Sequence, residues 1–175
     1  MVLVRLASRV VIGASDRATD VAATIADLSK NGVRAVDVSV LGKAETYEST
    51  VSPSRARGVV GAVGKVANWL HAPRKVSITE LGDLVGAGVL VEVLAASPNT
   101  SPVGALVMQG VPQRDALAIA DLLTRGKIII LVGVADRVMG ERVRAILIRH
   151  CGSSVGYFSG RPYGTAFHGT GPGLR

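Results

Sequence analysis

Residues Gly110–Gly152 read GVPQRDALAIADLLTRGKIIILVGVADRVMGERVRAILIRHCG, and their apolar spacing turns from helical to continuous and back to helical. Pro112 stands at a first helical position, and Gln113 and Asp115 suit the positive end of a helix. Ala116, Ile119, Ala120 and Leu123 recur on one face until Arg125-Gly126 ends it. Lys127 to Val134 (KIIILVGV) then predicts a strand buried on both faces. Asp136 caps a second helix that carries Met139, Val143, Ile146, Leu147 and His150 on one side, and Gly152 stops it. The stretch is an α-β-α unit.

The N-terminal part repeats this logic. Arg9 to Ala14 (RVVIGA) is a short apolar strand, and Ser15 or Asp16 caps a helix with Val21, Ile25 and Leu28 inward that Asn31-Gly32 closes. Val36, Val38 and Val40 alternate with Asp37, Ser39 and Leu41, which predicts a half-exposed or edge strand. With a last strand around Val155 to Phe158, the element order is that of an α+β fold, the ferredoxin-like split βαβ sandwich, whose helices cover one sheet face.

Between the halves lies a glycine-rich, mainly helical insertion at about 42–126, where a compact member of that fold has a hairpin turn. Ser54 to His71 places Val59, Val63, Val66 and Leu70 at helical intervals beside a stripe of Gly58, Gly61 and Gly64. Each glycine costs about 1 kcal/mol in a helix, so packing must hold that segment. Leu81 to Ala96 is apolar and fits helix or strand, because Gly82, Gly86 and Gly88 weaken both. Residues 1–158 are read as one domain, and 159–175 as an extended C-terminal arm.

Composition narrows the class. With 48% hydrophobic residues the chain is globular, and its apolar runs are broken by Asp83, Glu92 and Asp121. They fall short of the roughly 20 residues that cross a bilayer. The opening MVLVRLASRVVIGAS is read as a first strand, too short for a secretion signal. Cys151 is the only cysteine, which suits a reducing cytoplasm. The net charge of +7 is uneven: Arg55, Arg57, Lys65, Arg74 and Lys75 stand without an acid between Ser49 and Thr79, and six arginines from Arg137 onward face only Glu141. Such charges ordinarily line solvated helix faces, and the strands lack the aromatic residues that stack on single-stranded bases, so nucleic acid is disfavoured as a partner.

The run GALVMQGVPQRDALAIADLLTRGKIIILVGVADRVMGERVRAILIRHCG resembles the C-terminal half of the bacterial general stress protein family, heat-induced type, with its Gly-Val-Pro helix start, Arg-Gly helix end, apolar strand and closing helix. The N-terminal segment ending in NGVRAVDVSVLGK is similar to the same family, and the likeness spans most of residues 8–152. It implies a fold and brings no catalytic residues. Lys127 replaces the family's second glycine, Gln113-Arg114-Asp115 is less acidic, and the tail after Ser153 has no counterpart.

Chemical motifs are few. Gly61-Ala-Val-Gly64-Lys65 resembles a phosphate loop, but Val66 stands where Ser or Thr would bind magnesium and no strand precedes it. Gly13-Ala14-Ser15-Asp16 joins strand to helix, and Asp16 opposes an anion there. His150 and Cys151 are metal-ligand types, yet their spacing to His71 or His168 fits no known cluster, so a helix-ending histidine beside a buried cysteine is the simpler reading. Asp115, Asp121, Asp136 and Glu141 form no pair for acid–base chemistry, and the three histidines give no Ser-His-Asp set. The tail differs: Tyr157, Phe158, Tyr163 and Phe167 are four of the chain's six aromatic residues, set among glycines, and they read as anchors for a partner on a docking arm, or else as a last strand through Phe158 followed by a loose end. The expectation is a non-enzymatic assembly or interaction subunit without a cofactor, as a homo-oligomer or on a protein partner. The alternative is a small-ligand or metal-binding sensor.

Overall fold

The structure, a computed structural model, describes residues 9–44, 74–96, 99–152 and 155–158. Strand β1 (Arg9–Ser15) leads into helix α1 (Ala18–Lys30), and a 3-10 turn (Ala35–Asp37) leads into β2 (Val38–Lys43). The insertion supplies a hairpin of β3 (Arg74–Ile78) and β4 (Gly82–Ala87), then helices α2 (Val89–Ala96), α3 (Pro102–Met108) and α4 (Gln113–Thr124). Strand β5 (Ile128–Val134), helix α5 (Arg137–Cys151) and strand β6 (Val155–Phe158) close the order. The strands form one antiparallel sheet in the order β3-β4-β2-β5-β1-β6. The fold is mixed α+β.

Side chains alternate across this sheet, and both faces are covered. Val11, Val38, Val40, Ile128, Ile130 and Val132 pack under Val21, Ile25 and Leu28 of α1 and Val143, Ile146 and Leu147 of α5. On the opposite face Val10, Ile12, Leu41, Leu84, Ile129 and Leu131 pack under Leu90 and Leu94 of α2, Leu106 of α3, and Ile119 and Leu123 of α4. Burying one such aliphatic side chain contributes about 1.5–3 kcal/mol, so each face is a core in its own right. The expectation of helices on one face is therefore corrected. The insertion is not only helical: it widens the sheet by two strands and caps the second face.

The reading of β2 is corrected as well. Five of its residues, Val38 to Gly42, are buried, and the strand lies between β4 and β5, away from either edge. Val36 alone is exposed, in the turn before it. Ser39, the polar residue that suggested a solvent face, is 2% exposed, and its Oγ accepts the Leu90 N–H at 3.1 Å. It caps α2 from fifty-one positions away. Leu81–Ala96 is strand and then helix, and the switch falls at Gly88 with φ +98°. A Cβ there would lie 2.3 Å from the Val38 carbonyl oxygen, so glycine lets β4 and β2 approach before the chain turns.

The punctuation of the helices follows the sequence closely. Asp136 caps α5 by accepting the Met139 N–H at 2.8 Å, Gly152 ends it at φ +66°, and Gly126 follows α4 at φ +83°. Pro112 is the residue before α4 rather than its first member. At α1 the cap position is Arg17, and Ser15 Oγ accepts the Arg17 N–H at 3.1 Å from two residues upstream. The glycine stripe at Gly58, Gly61 and Gly64 lies outside the described residues.

Candidate functional site

The aromatic cluster begins in β6, which pairs with β1 through Val10↔Phe158, Val11↔Tyr157, Ile12↔Gly156 and Gly13↔Val155. That register sends Phe158 into the core shared with α2 to α4, where it is 2% exposed. Tyr157 points to the other face and lays its ring on Gly140 of α5. A Cβ at Gly140 would stand 2.7 Å from Tyr157 Cε2 and 2.8 Å from its Oη, so glycine makes room for the ring. Among the described residues the buried Tyr157 hydroxyl has no hydrogen-bond partner, a cost of about 1–3 kcal/mol against the burial of the ring. Both rings named as partner anchors are thus spent largely inside this chain. Tyr163 and Phe167 lie outside the described residues.

What β6 does present is its outer edge. Among the described residues no strand pairs on that side, and the sequence Val-Gly-Tyr-Phe carries no charge. The opposite edge is different. On β3, Arg74 pairs with Glu92 at 3.1 Å, Lys75 with Asp83 Oδ2 at 2.7 Å, and Ser77 Oγ donates to Asp83 Oδ1 at 2.6 Å. These bonds hold the Asp83 carboxyl below its ordinary range, Lys75 first and Ser77 second.

His150 and Cys151 end α5 but face different neighbours. His150 Nε2 lies 2.7 Å from Asp27 Oδ2 on α1, and Arg149 lies 3.5 Å from the same oxygen. The His150 hydrogen bond, with the nearby positive charges, holds Asp27 below the usual carboxylate range. Cys151 turns inward over β1, where its Sγ would be 3.3 Å from a Cβ at Gly13. Burial pushes its thiol up, against a smaller opposing pull from a hydrogen bond with Thr24, which is the opposite of an activated nucleophile. The two side chains therefore do not converge. Among the described residues no group of three or more His, Cys, Asp or Glu is placed to hold a metal ion, and His71 and His168 lie outside those residues.

At the strand-to-helix junction after β1, Asp16 pairs with Lys127 at 2.6 Å. Asp115 is buried in the first turn of α4, while Asp121 pairs with Arg125 and Asp136 caps α5. Sequence reasoning missed Asp27 as the partner of His150, because no local signal links residues this far apart. It also missed Gly140 as the seat of Tyr157, although a glycine in the first turns of an otherwise good helix was a usable sign of close approach. Among the described residues no helix is long and apolar enough to cross a membrane. Compared with family models, curated proteins and solved structures, the chain finds no match.

Proposed function

We propose that this chain is a non-enzymatic, stress-associated interaction subunit of the cytoplasm that self-associates or docks on a larger protein complex. The observation that carries the reading is the uncharged outer edge of β6. An edge strand offers a row of backbone donors and acceptors, and proteins that keep such an edge to themselves place charge on it, as β3 does here with Arg74 and Lys75. Leaving β6 without that guard suits strand addition by a second copy or a partner. Tyr163 and Phe167 follow the strand in sequence and serve, in this reading, as anchors of a docking arm.

The split βαβ arrangement belongs to the same proposal. Its support is the order β2-β5-β1-β6 of the four central and C-terminal strands, with α1 joining β1 to β2 and α5 joining β5 to β6 on one face. The stress association rests on the family resemblance of residues 8–152.

Light scattering on the full chain at micromolar concentration tests the reading, beside a chain ending at Gly160. The expected masses are a multiple of 18.0 kDa, or a complex with a partner, for the full chain, and weaker assembly of a still folded domain after truncation. A strictly monomeric full chain from which no partner is recovered would overturn it.

A further inference from the structure

Helix α5 buries Val143, Ile146 and Leu147 against the sheet, yet it also carries apolar residues on its outer side. Val138 is 71% exposed and Ile148 42%, and Ala145 between them is exposed as well. Their spacing of seven and three residues lines them up on one stripe of a helix, with Glu141 at the remaining seam position. A stripe of this spacing is what one helix offers to another.

The flanks decide what kind of helix fits. The positions on either side of the seam are Arg137 and Arg144 on one flank and Arg142 and Arg149 on the other. Arg144 stands 4.0 Å from Glu141 and Arg149 stands 3.5 Å from Asp27, while Arg137 and Arg142 enter no ion pair among the described residues. All four flanking positions are therefore cationic. A second copy of α5 would set arginine against arginine in either orientation, which is how coiled-coil flanks exclude a partner. The chain's own tail is no better suited, since residues 159–175 hold Arg161 and Arg175 and no acid.

We propose that the outer face of α5 docks an amphipathic helix of another protein whose apolar seam is flanked by Asp and Glu. This inference rests on the interaction-subunit reading and names the chemistry of one partner. Glu141 then meets a basic residue of the partner seam and fixes its register.

The test uses the full chain and two synthetic helical peptides with leucine seams that carry one lysine to meet Glu141, one flanked by glutamate and one by lysine, read by fluorescence anisotropy. The glutamate peptide should bind and the lysine peptide should not. The double variant Arg137→Glu with Arg142→Glu changes only residues that form no ion pair among the described residues, so it should stay folded by circular dichroism. It should weaken the glutamate peptide by about tenfold and admit the lysine peptide. Ile148→Lys, on the seam, should weaken the glutamate peptide too. Equal binding of both peptides, or none, would overturn the proposal, as would assembly of the chain alone that Ile148→Lys abolishes, since a second copy would then own this face. Light scattering of the same samples keeps the wider reading separate: a chain that still assembles without binding either peptide defeats only the α5 proposal.

Discussion

The two edges of the sheet are built on opposite plans. Edge β3 exposes Arg74, Lys75 and Ser77, and each is tied to an acid on the neighbouring β4 or on α2. Edge β6 holds Val155, Gly156, Tyr157 and Phe158, with Phe158 in the core and Tyr157 clamped on Gly140. Exposed ion pairs such as those on β3 are worth about 1 kcal/mol or less to stability. Their larger effect is to deny pairing to a foreign strand, because lysine and arginine desolvate poorly. At β6 the side chains fasten the strand firmly from within and leave its outer backbone without such a guard. Attachment and availability are thus separate properties, and the molecule sets them independently at its two edges.

The contrast breaks most visibly if β6 loses its anchor. Phe158→Ala removes a side chain that is 2% exposed, and the lost transfer energy and the cavity should cost about 3–5 kcal/mol in denaturant unfolding. Assembly should fall with it. A loss under 1 kcal/mol would mean that β6 is only loosely held and that the edge has no fixed geometry. Gly140→Ala tests the other side of the clamp. Its Cβ would force the Tyr157 ring to shift, for about 1–3 kcal/mol of overpacking, and unchanged stability would show that the ring has room to spare. Tyr157→Phe sharpens the comparison by its sign. The hydroxyl has no partner among the described residues, so removing it should leave stability equal or raise it by up to about 1 kcal/mol. A clear loss would reveal a partner for the hydroxyl.

The smallest expected effect is at β3 and depends on pH. Asp83 is held below its unfolded value of 3.8 by Lys75 and Ser77, so its contribution is present above that value. It is lost as pH falls through the lower folded value. Protection of the β3–β4 hairpin in amide exchange should decline on acidification below about pH 4. Asp83→Asn should flatten that decline, and an identical pH profile in the variant would remove the carboxylate from the account.

Much of the α1 and α5 face was legible from local chemistry. Asn31-Gly32, Arg125-Gly126, Asp136 and Gly152 stand where the chain stops or starts, since caps and left-handed positions are decided by a few adjacent residues. Strand β5 was legible too, because Ile128 to Val132 is apolar without a break. Strand β2 was misread for a reason that is not local. Ser39 carries a hydroxyl that looks solvent-facing in an alternating pattern, but it is satisfied by Leu90 in a helix that folds over it from the insertion. Period-2 alternation reports polarity and not exposure, and a buried polar residue with one long-range partner reads the same as a surface one. At the candidate site, the cluster of aromatic residues was visible, whereas the division of Tyr157 and Phe158 between two sheet faces needed the register with β1.

The claim that one edge is guarded and the other is a contact surface has a direct test in amide hydrogen exchange. It would be measured on the full chain across a range of concentrations, reading β3, β6 and the interior strands β2 and β5 together. The expected result is high and constant protection in β2 and β5, no change in β3, and protection of β6 amides that rises as the chain assembles. Protection of β6 that stays constant while β3 gains it, or that never differs between the two edges, would contradict the account.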